Sequence, residues 1–141
     1  MGLVWYHLTM SLISRDVDYA LRALAYMAQA KGKLISTAQL ERELNLPRPF
    51  MRKVLQKLEN AGIVGSTKGN KGGFVLAKAP GTITIALLVE ALQGGLNFGD
   101  CKLSKRPCPQ MAICQIRVKL NSIEKKVLDE LAAVSVASLL K

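Results

Sequence analysis

A tight turn followed by a basic amphipathic segment is the feature that most restricts the fold of this chain. Residues 45–47 read Asn-Leu-Pro, and proline is well tolerated at or near the first position of a helix. Residues 48–60 then carry apolar side chains at helical spacing, and no acidic residue occurs between Arg48 and Lys57. The pattern predicts a helix that packs through one face and presents a positive face on the other side.

The two faces of this predicted helix have different roles. The apolar face consists of Phe50 or Met51, Val54 or Leu55, and Leu58, and we interpret the stripe that includes Phe50, Val54 and Leu58 as core. The opposite side is covered by basic or amide side chains, namely Arg48, Arg52, Lys53, Gln56 and Lys57. Mixed charges on one side usually mean a solvated surface, but this face lacks the interspersed carboxylates that such surfaces carry.

The flanking segments predict more helices and a hairpin. Helical periodicity covers residues 15–30, where Ser14 and Asp18 offer an N-cap signal, and a second helix follows Ser36 or Thr37. Two short strands, residues 63–67 and 74–77, surround the loop Lys-Gly-Asn-Lys-Gly-Gly at residues 68–73. The predicted fold class is therefore mainly α with a small β-hairpin wing, a winged helix-turn-helix followed by a long C-terminal dimerisation helix.

In this layout the helix after the turn enters the major groove of DNA, because an α-helix fits the width of that groove. The chain has 20 Lys and Arg against 10 Asp and Glu, a formal charge of +10, which favours a polyanionic partner, nucleic acid first and an anionic membrane surface second. Lys68 and Lys71 at the tip of the wing are expected to contact phosphate or enter the minor groove. Double-stranded DNA is the expected partner. A basic face that binds RNA or another protein is a further possibility.

The remaining chain predicts two more helices and a loop between them. A helix over residues 84–93 ends at two glycines, and the helical pattern resumes over residues 111–140. Residues at a and d spacing line that last segment: Ile116, Leu120, Ile123, Val127, Leu131 and Val134. Such a stripe needs a partner.

We divide the chain into an N-terminal extension (1–10), a winged domain (11–80), a connecting helix (81–98), a cysteine sensor loop (99–114), and a dimerisation helix with its tail (115–141).

All three cysteines, Cys101, Cys108 and Cys114, fall within 14 residues, and an odd number argues against a set of structural disulfides. Clustered thiols suggest a metal. Their spacing matches no zinc knuckle, and three thiolates leave a tetrahedral zinc ion one ligand short. Iron-sulfur clusters are also held by thiolates, and a fourth ligand can come from elsewhere. Unligated cysteines or a redox thiol pair are the alternatives.

Other classes of protein find little support. His7 is the single histidine and lies in the N-terminal extension, and no phosphate-binding glycine motif precedes a helix, so we expect no enzyme. The N-terminus lacks the pattern of a signal peptide, and no run of 18 apolar residues occurs. We expect a cytoplasmic protein that does not enter a membrane.

Four features in the same order resemble the Rrf-two (Rrf2) family of transcription regulators, which includes the IscR, NsrR, RirA and CymR types. They are residues 19–24 (YALRAL), residues 47–62 (PRPFMRKVLQKLENAG), residues 71–76 (KGGFVL), and the three cysteines before a long helix. The resemblance covers residues 11–134. It implies a homodimer whose subunits are joined by the long helix. This homodimer would bind a pseudo-palindromic operator.

The resemblance also implies a cofactor. In cluster-bearing members, three cysteines hold a two-iron or four-iron cluster that senses redox state, nitric oxide or iron, and Cys101, Cys108 and Cys114 fall where those ligands belong. The IscR type has a histidine three residues after the last cysteine, where this chain has Arg117.

The NsrR type is closest in ligand pattern. It takes a fourth ligand from an Asp on the first helix of the other subunit, and Asp18 stands at that position, although it is also suited to capping the helix. Asp16 and Asp100 are weaker candidates. The first cysteine gap is longer than in those relatives. The alternative is a clusterless regulator of the same fold that acts through thiol oxidation or a partner protein.

Overall fold

The computed structural model describes residues 11–98 and 109–140. It has five α-helices and a two-stranded antiparallel hairpin in these residues, which confirms the predicted fold class. The elements are α1 (Arg15–Gln29), α2 (Thr37–Leu44), α3 (Arg48–Asn60), β1 (Val64–Thr67), β2 (Gly73–Leu76), α4 (Ile85–Gln93) and α5 (Gln115–Ala132). No helix in these two stretches is long and apolar enough to cross a membrane.

Side-chain caps fix where the helices begin. The hydroxyl of Ser14 accepts a hydrogen bond from the backbone N–H of Val17, as the sequence predicts, and Ser36 and Thr84 cap α2 and α4 in the same way. Asn45 ends α2 with φ +51° and ψ +45°, a left-handed conformation that asparagine tolerates. The chain can therefore turn within three residues and start α3 at Arg48.

The core lies between α1, α3 and α4, and the side of α3 that faces it is formed by Met51, Val54, Leu55 and Leu58, all fully buried. Phe50, interpreted above as core, is instead 45% exposed, and its ring meets that of Tyr19 edge-on at 6.5 Å between centroids. The interpretation of Phe50 was wrong because each helical residue turns the side chain by about 100°. Met51 therefore occupies the inward position and its neighbour does not.

The hairpin is fastened to the rest of the fold by Ile35. Ile35 and Phe74 exchange two backbone hydrogen bonds of 2.9 and 2.8 Å, which adds one extended residue beside β2. A Cβ at Gly73 would lie 2.8 Å from the carbonyl oxygen of Ile35, so a larger residue would not fit at this approach. The hairpin, called the wing below (residues 64–76), is thus held along β2 at the end next to its tip.

The C-terminal segment differs from the continuous helix predicted over residues 111–140. Residues Met111–Ile113 form a single 3-10 turn, α5 starts at Gln115, and it ends at Ala132. Beyond it, Val134 accepts a hydrogen bond from Ile85, Val136 donates one to Ile83, and the Val136 side chain is fully buried. A bridge to the start of α4, together with burial of a β-branched side chain, is favoured over further helical turns.

Candidate nucleic-acid interface and cysteine segment

The side of α3 that faces away from the core carries the predicted basic residues. Arg48, Arg52, Lys53 and Gln56 are all exposed, as their spacing opposite the buried stripe requires. Arg48 lies 3.9 Å from the carboxylate of Glu41, and both side chains are about half exposed. An exposed pair at that distance contributes little energy, so Arg48 is available to another anion.

The tip of the wing presents the other two predicted residues, Lys68 and Lys71, to solvent. A Cβ at Gly72 would lie 2.0 Å from the carbonyl oxygen of Thr67, so the tight tip depends on glycine there. The hydroxyl of Ser66 donates a hydrogen bond to the carboxylate of Glu59 in the last turn of α3. This hydrogen bond connects β1 directly to α3.

Between α3 and the wing lies an open cleft of about 350 Å³, called the basic cleft below. Arg48 and Arg52 line one side, and Lys68 lines the other. The start of α2, including Ser36 and Thr37, completes it. Hydroxyl groups and cations that converge on one concave surface suit a phosphate backbone. The sequence predicted the two basic parts but not the contribution of α2, whose hydroxyl residues were interpreted only as helix starts.

Lys57 is placed differently from the other basic residues predicted on α3. Its Nζ donates hydrogen bonds to Oδ2 of Asp16, at 3.0 Å, and to the carbonyl oxygen of Leu92, at 3.3 Å. The ammonium group is thus used within the fold, between α1 and α4. Lys57 therefore differs from the exposed residues Arg52 and Lys53, whose side chains are available to a partner.

Gln93, at the end of α4, is a polar link that sequence reasoning missed. Its Oε1 accepts a hydrogen bond from the backbone N–H of Ser14 at 2.9 Å, and its Nε2 donates to the carbonyl oxygens of Leu12 and Gly95 at 3.3 Å. The available signal was a lone amide at the end of a helix that is apolar apart from Glu90. That signal identifies no partner.

Of the predicted cluster ligands, Cys101 and Cys108 lie outside the described residues, as does Asp100. Cys114 is a half-buried free thiol at the position that precedes the first turn of α5. Asp18 lies on α1 and pairs with Arg22 one turn later, at 3.1 Å, and its carboxylate is about half exposed. An exposed pair of this kind exchanges readily with solvent and leaves the carboxylate accessible.

Residues 11–98 and 109–140 contain no group of three His, Cys, Asp or Glu side chains that could hold a metal ion. The donors that these residues do offer, a half-buried thiol in Cys114 and an accessible carboxylate in Asp18, are chemically suited to iron. Cys114 also adjoins the N–H groups at the start of an 18-residue helix, where an anionic group is favoured. A thiol and a carboxylate are donors of the chemical type that a thiolate-held cluster requires.

The helix α5 leaves much of its apolar surface in solvent. None of its residues is fully buried, and Ile116, Val118 and Ile123 are 71%, 56% and 49% exposed. Leu131 and Val134, by contrast, pack against the core. The predicted stripe thus divides into a C-terminal part covered by its own chain and an N-terminal part that is not.

Comparison with known proteins identifies relatives along nearly the whole chain. A family model described as Rrf2, iron-dependent transcriptional regulator, matches residues 13–141. A putative HTH-type transcriptional regulator of Aquifex aeolicus is 34% identical over 120 residues, which are 84% of this chain and 83% of that protein. The HTH-type transcriptional regulator NsrR of Halalkalibacterium halodurans is 33% identical over 106 residues, 74% of this chain and 73% of that protein.

Solved structures agree on the fold. CymR, the global cysteine regulator of B. subtilis, has a TM-score of 0.69 and 25% identity, over 93% of this chain and 97% of that chain. IscR of T. potens has a TM-score of 0.67 and 24% identity, over 91% and 85% of the two chains. The family and both sequence relatives are named as transcription regulators rather than enzymes, which agrees with the prediction from sequence.

Proposed function

This chain belongs to the Rrf2 family of transcription regulators, and we propose that it acts as a homodimer that binds a pseudo-palindromic operator through α3 and the wing. The observation that carries the proposal is the basic cleft, in which Arg48 and Arg52 of α3 face Lys68 of the wing. A recognition helix and a flanking basic hairpin can together follow one strand of duplex DNA. The exposed Lys53, Gln56 and Lys71 extend this surface.

The residues of this surface have different proposed roles. Arg52, Lys53 and Gln56 lie on the solvent side of α3, where arginine and glutamine side chains can pair with base edges in the major groove. Arg48, Lys68 and Lys71 are proposed to bind phosphate, which sets the position of the protein without reading sequence.

A second copy of this chain is the proposed occupant of the exposed apolar part of α5. Ile116 and Ile123 lie seven residues apart, so about two helical turns place them on the same side of the helix. Exposed apolar residues in a continuous strip favour association with a matching strip. A homodimer repeats one strip on both subunits, and its symmetry agrees with that of a palindromic operator.

We also propose that Cys101, Cys108 and Cys114 of one subunit hold an iron-sulfur cluster, with Asp18 of the partner subunit as the fourth ligand. The support is the match of the cysteines to the cluster-bearing pattern of the family, together with the accessible positions of Cys114 and Asp18. When bound, such a cluster supplies a centre whose redox state, loss or reaction with nitric oxide changes the affinity for DNA.

A clusterless regulator that responds through its thiols or a partner protein is the second candidate. It has its own support, because the solved relative CymR is named as a regulator of cysteine rather than of iron. Anaerobic purification separates the two candidates. Visible absorbance with acid-labile sulfide supports the cluster, whereas a colourless protein with three titratable thiols supports the second candidate.

The DNA-binding proposal is tested by selecting genomic fragments with the purified protein at physiological salt, in the cluster-loaded and cluster-free forms. We expect enrichment of fragments that share one inverted repeat and compete effectively against unrelated duplex. If both forms retain fragments without any shared sequence, binding is only electrostatic and the operator proposal fails.

A further inference from the structure

Lys57 joins three helices at one point of the fold. Its Nζ contacts Asp16 in the first turn of α1 and the carbonyl oxygen of Leu92 near the end of α4, at 3.0 and 3.3 Å. The side chains of Lys57 and Asp16 are 35% and 22% exposed, so this ion pair is more shielded from solvent than the other ion pairs of the described residues. Such a pair holds its partners more firmly than the exposed pairs elsewhere on the molecule.

Gln93 makes a second link at the same place. It connects the N-cap residue of α1, Ser14, to the end of α4 through a hydrogen bond of 2.9 Å. Asp16, Lys57, Leu92 and Gln93 are called the helix anchor below. Gln93 lies in the connecting helix, six residues before the cysteine sensor loop (99–114) in the sequence.

We infer that Lys57 is a positioning residue that sets the orientation of α3 for base recognition and does not itself contact DNA. The inference rests on the proposed function, because it requires that α3 reads an operator. If Lys57 turned towards DNA, the carboxylate of Asp16 would lose its ion-pair partner while mostly shielded from water. A partly shielded carboxylate without its partner is less favourable than the ion pair.

The helix anchor is expected to affect hydrogen bonds to base edges more than attraction to phosphates. Hydrogen bonds to base edges need side chains held within about 0.5 Å of the productive geometry, whereas attraction to phosphates tolerates displacement. Buried residues such as Met51 and Leu58 fix how deeply α3 sits on the core. The anchor additionally restrains the side of α3 that faces α1 and α4. Its loss is therefore expected to reduce specific binding while non-specific binding is retained.

The experiment measures binding of an operator duplex and of a scrambled duplex over a series of salt concentrations. For Lys57→Met we expect operator affinity to fall roughly 5- to 30-fold. Affinity for the scrambled duplex and the slope of log K against log salt should stay unchanged. The matched control is Lys68→Met, which removes an exposed lysine of the wing that is proposed to bind phosphate. This variant should bind both duplexes more weakly. Its slope of log K against log salt should be less steep by about 0.9 for each phosphate that the variant no longer binds.

In Asp16→Asn, the direction of the change in DNA affinity distinguishes the two roles of Lys57. If Lys57 bound DNA, removing the carboxylate would release it and strengthen binding to both duplexes. As part of the helix anchor, Asp16→Asn instead weakens operator binding as Lys57→Met does, and the double variant is no weaker than either single variant. Lys57→Arg, which keeps the ion pair, should bind the operator nearly as well as the original protein.

Circular dichroism and thermal unfolding show whether each variant is folded at the temperature of the assay. A smaller salt slope with weaker scrambled binding for Lys57→Met would overturn the inference, and so would stronger binding for Asp16→Asn or an additive double variant. If the wild-type protein prefers no operator over the scrambled duplex, the proposed function fails, and this inference fails with it.

Discussion

Arg52 lies where α3 and the wing meet, exposed and on the opposite side of the basic cleft from Lys68. We expect Arg52→Ala to weaken operator binding by ~1–3 kcal/mol, because alanine cannot form the paired hydrogen bonds that arginine makes to a base or phosphate. Fluorescence anisotropy with a labelled operator measures the change. Lys125→Ala, which removes the same charge from an exposed site on α5, is the control. If the two variants lose the same affinity, Arg52 contributes only through the net charge of the protein and not through a specific contact.

Single residues also show where a helical pattern stops being informative. Periodicity gives the direction in which a side chain leaves the helix, and it located Arg52, Lys53 and Gln56 on the exposed face of α3. It does not say where a long side chain ends. Lys57 leaves α3 at the edge of the exposed face, and its ammonium reaches Asp16, a residue 41 positions earlier. Such a contact depends on how α1 packs on α3.

Among the elements, the wing depends on a backbone approach that a side chain would block. Gly72→Ala places a Cβ 2.0 Å from the carbonyl oxygen of Thr67, so the tip must be displaced, at a cost of ~1–3 kcal/mol. We expect lower thermal stability and weaker binding to both operator and scrambled duplexes, since Lys68 and Lys71 move. Gly65→Ala in the same hairpin meets no atom within 4 Å and is the matched control. If the two variants behave alike, tip geometry is unimportant.

For α5, the expected result concerns the oligomeric state. Ile123→Asp puts a charge into the exposed apolar strip that is proposed to join two subunits, so the dimer should dissociate at micromolar concentration. Val118 is also exposed, but it lies about 140° around the helix from Ile123. Val118→Asp should therefore leave the dimer intact. Light scattering after size-exclusion chromatography distinguishes the outcomes. A dimer that survives Ile123→Asp would exclude this strip as the interface.

The elements that sequence predicted well are those determined by neighbouring residues. Ser14 caps α1, Pro47 precedes α3, and the glycine-rich loop closes the hairpin, all of which are local signals. The end of α5 was predicted eight residues too late. What ends it is a bridge from residue 135 to Thr84, together with the burial of Val136. Both depend on α4, which local periodicity does not include.

In the whole molecule, the candidate site combines parts that are distant in sequence. The basic cleft takes residues from the start of α2, from α3 and from both strands of the wing, and only its basic residues were predicted. The charge of +10 indicated a polyanionic partner but not which surface would receive it. The packing of Ile35 beside Phe74 brings these elements together. Their arrangement is a property of the tertiary structure.

The proposed cluster would link the two subunits, because its cysteines and its aspartate come from different chains. If Asp18 completes the cluster of the partner subunit, Asp18→Ala should lower the visible absorbance and speed loss of the cluster in air, with unchanged circular dichroism. The ion pair with Arg22 offers a matched control, because Arg22→Ala breaks the same 3.1 Å contact and keeps the carboxylate. That variant should retain the cluster. Equal cluster loss in both variants would assign the effect to the ion pair, and a stable cluster in Asp18→Ala would exclude Asp18 as a ligand.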